Sequence, residues 1–340
     1  MIKFCNFIIL ILIGCCAYGQ QPISALQKHE LYGRAQGTTY TLTYYSERAS
    51  ISQSSIDSIF AVIDQSMSLY KKGSNILKFN DPELMKMKLD YHMWTVMKES
   101  FRVYKDSKGL FDVTVMPLVS LWGFGPEKVV DIPDSSKVAE TLKFVGMDKL
   151  KLSGKRLKKR VRGVQVDLNG IAQGYTVDVL HDYLIDQKID NFIVEVGGEI
   201  RAHGSKPDQS NFKVLVQRPE QASGGSDHIL ELRNKSVTTS GSYEKFREVK
   251  DYKFSHHIDP KTGRPIKSQT ISVTVVANSA MEADAYDNVF IAMKPDEAIS
   301  FANSKNIVDI YLLYLEDGQV KEAQSSGFQK YLLTDKILKN

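Results

Sequence analysis

Cysteine is missing from almost the whole chain: all three residues, Cys5, Cys15 and Cys16, lie in its first stretch. A disulfide framework and a thiolate metal site are thereby excluded from everything downstream. GxGxxG is absent, as is GxxxxGK followed by Ser or Thr, so neither common nucleotide loop is available. There is no GxSxG elbow either, which makes serine-hydrolase chemistry at Ser240 or Ser242 a poor reading. No repeat and no long low-complexity linker interrupts the sequence. Charge is not dominated by one sign: 44 Lys and Arg face 40 Asp and Glu, a net +4. With 10% aromatic residues this is an ordinary globular composition and not a disordered one. The one basic run, Lys149–Arg162, interleaves Leu150, Leu152, Leu157 and Val161 with its charges. It reads as a solvated hairpin, and no nucleic-acid partner is expected.

The longest apolar run is Phe4–Ile13, too short to span a bilayer. Lys3 before it and small residues after it give the pattern of a secretory signal, so residues 1–19 are expected to direct export to the bacterial periplasm. Two processing routes fit. Leu12-Ile13-Gly14-Cys15 has the form of a lipoprotein box, with Cys15 lipidated and attached to the inner membrane. Ala17-Tyr18-Gly19 has the form of an ordinary cleavage site before Gln20. Residues 20–30 read as a mobile leader, and 31–340 as one catalytic domain.

Thr38–Tyr45 is rich in β-branched and aromatic residues, as strands are. Ser54–Tyr70 carries Ile56, Ile59, Phe60, Ile63 and Met67 on one helical face. Asp81-Pro82 is expected to cap a short helix, and His92–Ser107 to form a longer one. Gly109–Pro126 is too irregular for one helix and too apolar for a solvent loop, so it should face the core. Asp131–Val145 returns to helical spacing. Phe212–Gln217 is expected as a strand and 221–227 as a loop tip, with Leu230–Leu232 pairing with Ser236–Ser240. Lys253–Ile258 and Ile271–Ala277 should be strands on either side of a turn at Asp259–Gly263. Ser279 with Glu282 is a capping box opening a helix through Met293. Ile307–Leu315 and Phe328–Thr334 read as closing strands. Strands and helices mix without strict alternation, which predicts an α+β fold with a largely antiparallel sheet packed with helices.

The chain is organised around VDLNGIAQGYTVD, Val166–Asp178, and VEVGGE, Val194–Glu199. Val164, Val166 and Leu168 alternate as a strand does. Asn169 offers an N-cap oxygen, and Gly170 opens a helix with an apolar stripe at Ile171, Tyr175, Val179 and Tyr183. Phe192–Val196 follows as a strand ending at Gly197-Gly198. A helix start of this kind suits an anion such as phosphate, though most such turns bind nothing.

Two constellations could carry chemistry. Asp284, Asp287 and Asn288, spaced by three and four, share one face of a helix. Either they hold Mg2+ or Ca2+ through oxygen, or they form a solvated acidic face near a helix start. In FSHHIDPKTGRP, Phe254–Pro265, adjacent histidines on a strand would point to opposite faces. His256 or His257 could move a proton, and Lys261 and Arg264 could meet phosphate. A tight turn beside a satisfied core histidine explains the same residues.

Nine blocks in order resemble the FAD:protein FMN transferases of the ApbE family over roughly Gln36–Met293. They are GTTYTL, SLYKKGSNILKFN, GLFDVTVMPLVSLWGFGP, VGMDKLKL, VDLNGIAQGYTVD, VEVGGEIRAHG, TTSGSYEKF, HIDPKTGRP and SVTVVANSAMEADAYDN. The resemblance implies an exported Mg2+-dependent enzyme of α+β, T-fold-related architecture. Such an enzyme splits FAD, attaches FMN by a phosphoester bond to a threonine of a target flavoprotein, and releases AMP. It implies FAD contacts at Gln36, Tyr70, Leu110, Phe111, Asp112, Asp167, Gln173 and Ile271. It further implies metal ligands at Gly170, Asp284, Asp287 and Asn288, with His256 and Asp284 at the reaction centre. This chain departs from the family pattern in carrying Asn288 where Thr is usual, Gln36 for Met, and Gln173 at a site often Lys. Two other roles suit the same residues: an FAD pyrophosphatase giving FMN and AMP, and a non-catalytic flavin-binding lipoprotein. The acidic pair and the histidine argue against pure binding, because a store needs neither.

Overall fold

The computed structural model describes residues 26–126, 131–218, 227–241, 246–249 and 252–333. The signal and lipobox residues, Ser242 and most of the 221–227 loop lie outside them. No helix of the described residues is long and apolar enough to cross a membrane.

β1 (Gln27–Ala35) and β2 (Thr38–Ser46) pair antiparallel through the turn Gln36-Gly37. Both turn residues have positive φ, 53° and 78°, as a two-residue hairpin whose twist matches its strands requires. β1 thus begins inside the stretch expected to be a mobile leader. Tyr40, Leu42 and Tyr44 of β2 alternate inward. α1 (Gln53–Met67) starts where Ser52 accepts from Ser55 N, and buries Ile56, Phe60, Ile63 and Met67. α2 (Asn75–Asn80) ends at Asp81, so this aspartate closes a helix instead of opening one. β3 (Lys86–Lys88) and α3 (Tyr91–Asp106) follow, the latter capped by Asp90.

The segment Gly109–Pro126 faces the core, with a 3-10 turn at Val113–Val115 and α4 (Met116–Leu121). α5 is Ser135–Leu142, and β4 (Leu150–Ser153) with β5 (Arg156–Lys159) forms the basic hairpin. Lys159 there is fully buried; its ammonium donates to Asp81 O at 2.9 Å, and burial lowers its pKa.

Beyond α6 (Ala172–Asp186) come β6 (Phe192–Val196), β7 (Glu199–His203), β8 (Phe212–Val216), β9 (His228–Leu232) and β10 (Lys235–Gly241). β11 (Phe246–Val249), β12 (Tyr252–Ser255), β13 (Thr270–Ala277), α7 (Ala280–Ala292), α8 (Pro295–Lys305), β14 (Val308–Glu316) and β15 (Gln319–Gln324) complete the order. Eight strands form the main sheet in the order β1-β2-β6-β7-β10-β13-β14-β15, and every pairing among them is antiparallel. The α+β expectation holds. β9 pairs with β8, not with β10 as expected, because β10 is taken on its two sides by β7 and β13. Phe328–Tyr331 is a 3-10 turn and not a strand.

Helices cover one face of the sheet. Val273, Val275, Ile310 and Leu312 pack there with Val289, Phe290 and Val96. The β8–β9 hairpin and Phe328 cover the other, against Val237, Val276 and Leu313. Each such side chain contributes roughly 1.5–3 kcal/mol by leaving water. β13 is therefore buried on both faces, and it leads directly into α7.

Candidate active site

The stretch Val164–Leu168 is extended and its alternate residues are buried, yet it is not a ladder strand. The buried Asn80 side chain stands in for a neighbouring strand: its Oδ1 accepts from Val166 N and its Nδ2 donates to Val166 O, both at 2.8 Å. Asp167 N donates to Val113 O at 2.7 Å, joining this segment to the Leu110–Asp112 region. Burial pushes the Asp167 carboxyl up to about 6, opposed by the Asn169 amide on its Oδ1. A rim of this side chain still meets solvent.

α6 begins at Ala172, and Ile171 occupies the cap position without a side-chain bond, so Asn169 is not the N-cap. Ile171 N and Ala172 N donate to Leu168 O, Tyr175 N to Ile171 O, and Gly174 N to the Asp284 carboxylate at 2.7 Å. Those four amides are therefore occupied inside the protein and are not available to an anion. A Cβ on Gly174 would stand 2.3 Å from Ala280 O, so glycine is what lets α6 and α7 cross this closely.

α7 is fixed at its start by two carboxyl groups. Ser279 caps it through Glu282 N, as the capping box requires, while the Glu282 carboxylate pairs with Arg102 at 2.7 Å. Asp178, from α6, accepts from Ala280 N at 2.9 Å and Met281 N at 3.0 Å, and pairs with Arg201 of β7 at 2.6 Å. Burial pushes the Asp178 carboxyl up, and Arg201 and the two amides oppose it. One turn further on, Asp284 and Asp287 are each only 4% exposed, which rules out the solvated acidic face. Asn288 Nδ2 donates to Gly170 O (3.3 Å), Asp284 O (2.8 Å) and Asp287 Oδ1 (2.7 Å), and Thr238 Oγ1 approaches Asp287 Oδ2 at 3.5 Å.

This donor set suits a hard divalent cation. Two buried carboxylates three residues apart are costly in each other's company. The main-chain oxygens of Gly170 and Asp284 and the Asp287 carboxylate converge on one small donor, the Asn288 amide, while the Asp284 carboxylate lies beside them on Gly174 N. Turning that amide would direct Oδ1 instead of Nδ2 at the same point. Among the described residues no three His, Cys, Asp or Glu side chains form a metal cluster. The set is two carboxylates, a main-chain carbonyl and an amide.

The other expected residues distribute around this cluster. Gln36 donates to Thr176 Oγ1 (3.1 Å), and Gln173 to Val196 O (2.9 Å), so both attach to the first turns of α6. Phe111 is buried in the main core, with Leu110 partly buried beside it. The Asp112 carboxylate accepts from Thr114 N (2.7 Å) and Met147 N (3.0 Å), so both oxygens are engaged in holding the chain. Tyr70 is 70% exposed, and Ile271 sits in the register break of β13 between Thr270 and Ser272. His256 follows β12 at a bend, not on a strand. The rings of His256 and His257 consequently lie beside each other, centroids 3.9 Å apart, instead of on opposite faces. Lys261 lies in the turn near Gly109, and Arg264 donates to Ser135 Oγ at 2.7 Å. A cleft of ≈180 Å³ opens beside Thr238, lined also by Gly198, Ile200, Val214 and Val237. Sequence reasoning missed Asp178 and Thr238, whose partners lie far along the chain and leave no local signal.

Known proteins resemble this chain over nearly its whole length. The chain is 34% identical over 330 residues to an FAD:protein FMN transferase of Vibrio cholerae, covering 95% of this chain and 96% of the relative. It is 29% identical over 337 residues to the Escherichia coli K12 protein of the same name, covering 96% of both. The solved flavin transferase ApbE from Vibrio cholerae superposes with TM-score 0.82 at 33% identity, over 90% of this chain and all (100%) of that one. The apo flavinyl transferase ApbE of Pseudomonas stutzeri gives TM-score 0.82 at 26% identity, over 92% and 98%. The sequence profile of the ApbE family matches residues 36–312, and the chain belongs to that family.

Proposed function

We propose that this protein is an FAD:protein FMN transferase that attaches FMN to a threonine of an acceptor flavoprotein and depends on Mg2+. The observation that carries the metal part is the buried pair Asp284 and Asp287, gathered with Gly170 O and Asn288. FAD is the substrate; family membership and the relatives' names support that reading. The acceptor hydroxyl oxygen attacks the FMN-side phosphorus, the bond from that phosphorus to the bridging oxygen breaks, and AMP leaves with that oxygen.

A Mg2+ ion held by Asp284, Asp287, Gly170 O and the Asn288 amide would offset negative charge developing on phosphate and leaving group. The chain's own residues supply positioning. Asp178 and Gly174 hold α7 against α6, with the Asp284 carboxylate on Gly174 N and the Asp287 carboxylate and Gly170 O meeting at the Asn288 amide. Tyr70, exposed as it is, offers a ring face to the flavin. The hydroxyl proton passes to a base, for which His256 and the acidic pair are the available groups. The leader residues support export to the periplasm, by lipidation at Cys15 or cleavage after Gly19.

Incubating the protein with FAD and Mg2+, with and without a threonine-bearing acceptor, tests the reading. Flavin bound to the acceptor with AMP released in equal amount is the expected result. FMN and AMP formed at the same rate without acceptor would make it a pyrophosphatase. Bound flavin with no AMP would make it a store.

A further inference from the structure

At the other end of α6, away from Gly174, two histidines face each other. His181, buried in α6, and His203, the last residue of β7, approach with Nε2 and Nδ1 3.4 Å apart. Asp182 Oδ1 lies 2.9 Å from the His181 Nδ1. A carboxylate there holds the proton on Nδ1 and turns the Nε2 lone pair toward His203. Phe192, fully buried, walls the pair, stacked on His203 at 5.3 Å between centroids and edge-on to His181 at 5.2 Å.

We propose that His181 and His203 chelate a late first-row divalent ion such as Zn2+, Ni2+ or Cu2+, with Asp182 as the carboxylate behind the first imidazole. Without an ion the separation is that of a long hydrogen bond between the two rings. It matches the edge of a tetrahedron with metal–nitrogen bonds near 2.05 Å, which is about 3.3–3.4 Å. Asp182 pairs with His181 and Asp190 acts on His203, while Arg201, whose charge opposes a cation there, is itself paired with Asp178. Burial and the neighbouring His181 and Arg201 hold His203 below its ordinary pKa, so at neutral pH it presents a lone pair. Among the described residues no third His, Cys, Asp or Glu completes a cluster, so water fills the remaining positions. Imidazole nitrogens select against Mg2+, which keeps this site apart from the oxygen cluster on α7. The ion would tie the C-terminal half of α6 to β7, outside the reaction centre.

Calorimetric titration of the chelator-stripped full chain with Zn2+ tests this, alongside the variants His203→Gln and Asp182→Asn. The expected result is one Zn2+ bound by the wild type, about 100-fold more weakly by His203→Gln and about 10-fold more weakly by Asp182→Asn. His203→Gln should keep the wild-type response to Mg2+ and its FMN transfer. Electron paramagnetic resonance of the Cu2+ form should show two nitrogen ligands, and one in His203→Gln. If His203→Gln does not fold, the exposed Asp182→Asn and the wild-type spectrum still decide. Zn2+ affinity unchanged in the variants, or no stoichiometric binding by the wild type, would overturn the proposal.

Discussion

Replacing Asp178 with alanine removes the clasp between α6 and α7. Its side chain is 11% exposed and holds Ala280 N, Met281 N and the Arg201 guanidinium at once. Arg201, with its side chain 19% exposed, would be left beside a cavity with its charge unmatched. Breaking a buried pair from one side costs about 3–5 kcal/mol, and each amide left without an acceptor adds part of a further 1–3 kcal/mol. The cost of burying Asp178, seen in its raised pKa, gives some of this back. A net loss of about 4 kcal/mol is expected for Asp178→Ala. For Asp178→Asn, which keeps an oxygen for one amide, it is about 2 kcal/mol. Urea unfolding with an unchanged slope measures it. Because α7 also carries Asp284 and Asp287, the Mg2+ concentration for half-maximal transfer should rise in both variants. A loss below about 1 kcal/mol in Asp178→Ala, or an unshifted Mg2+ midpoint, would refute the clasp.

Asp167 has its carboxyl pushed up to about 6 from an ordinary 3.8, so the folded state holds a proton that the unfolded state has released. Native stability should therefore fall as pH rises from about 4 through 6. The neutral Asp167→Asn should gain roughly 2 kcal/mol above pH 7 in metal-free protein, the wet rim screening part of the full cost. Equal stability of the two proteins at pH 8 would contradict this. Tyr70→Ala should lose about 1 kcal/mol or more of FAD affinity at unchanged melting temperature, since the ring is exposed; an unchanged Kd for FAD would remove Tyr70 from the site. Asn288→Thr exchanges the amide for a hydroxyl facing Gly170 O and should keep transfer while tightening Mg2+; abolished transfer would show that position 288 acts otherwise.

Local chemistry was legible in the sequence. Ser279 and Glu282 are three residues apart, and the cap they announce is present. Phe192–Val196 and the faces of α1 and α3 also follow their hydrophobic spacing. What depends on distant partners was not legible. Val164–Leu168 has strand alternation, but Asn80, 86 residues earlier, takes the place of a neighbouring strand. The helix start at Asn169 looked open to an anion, yet Asp284 reaches Gly174 N from 110 residues away. β9 looked like the partner of β10, although β13 occupies that edge. In the site, the face shared by Asp284 and Asp287 was readable from spacing. Their burial was not, because it comes from α6 and β10 packing over that face.

The central claim is that Asp284 and Asp287 hold the ion that the chemistry needs. Initial rates of FMN transfer from FAD to a threonine-bearing acceptor, measured for wild type and Asp284→Ala across a Mg2+ titration to saturation, test it most directly. Losing about 3 kcal/mol of transition-state stabilisation predicts a rate at least about a hundredfold lower in the variant at every Mg2+ concentration. Transfer by Asp284→Ala at the wild-type rate with saturating Mg2+ would contradict it.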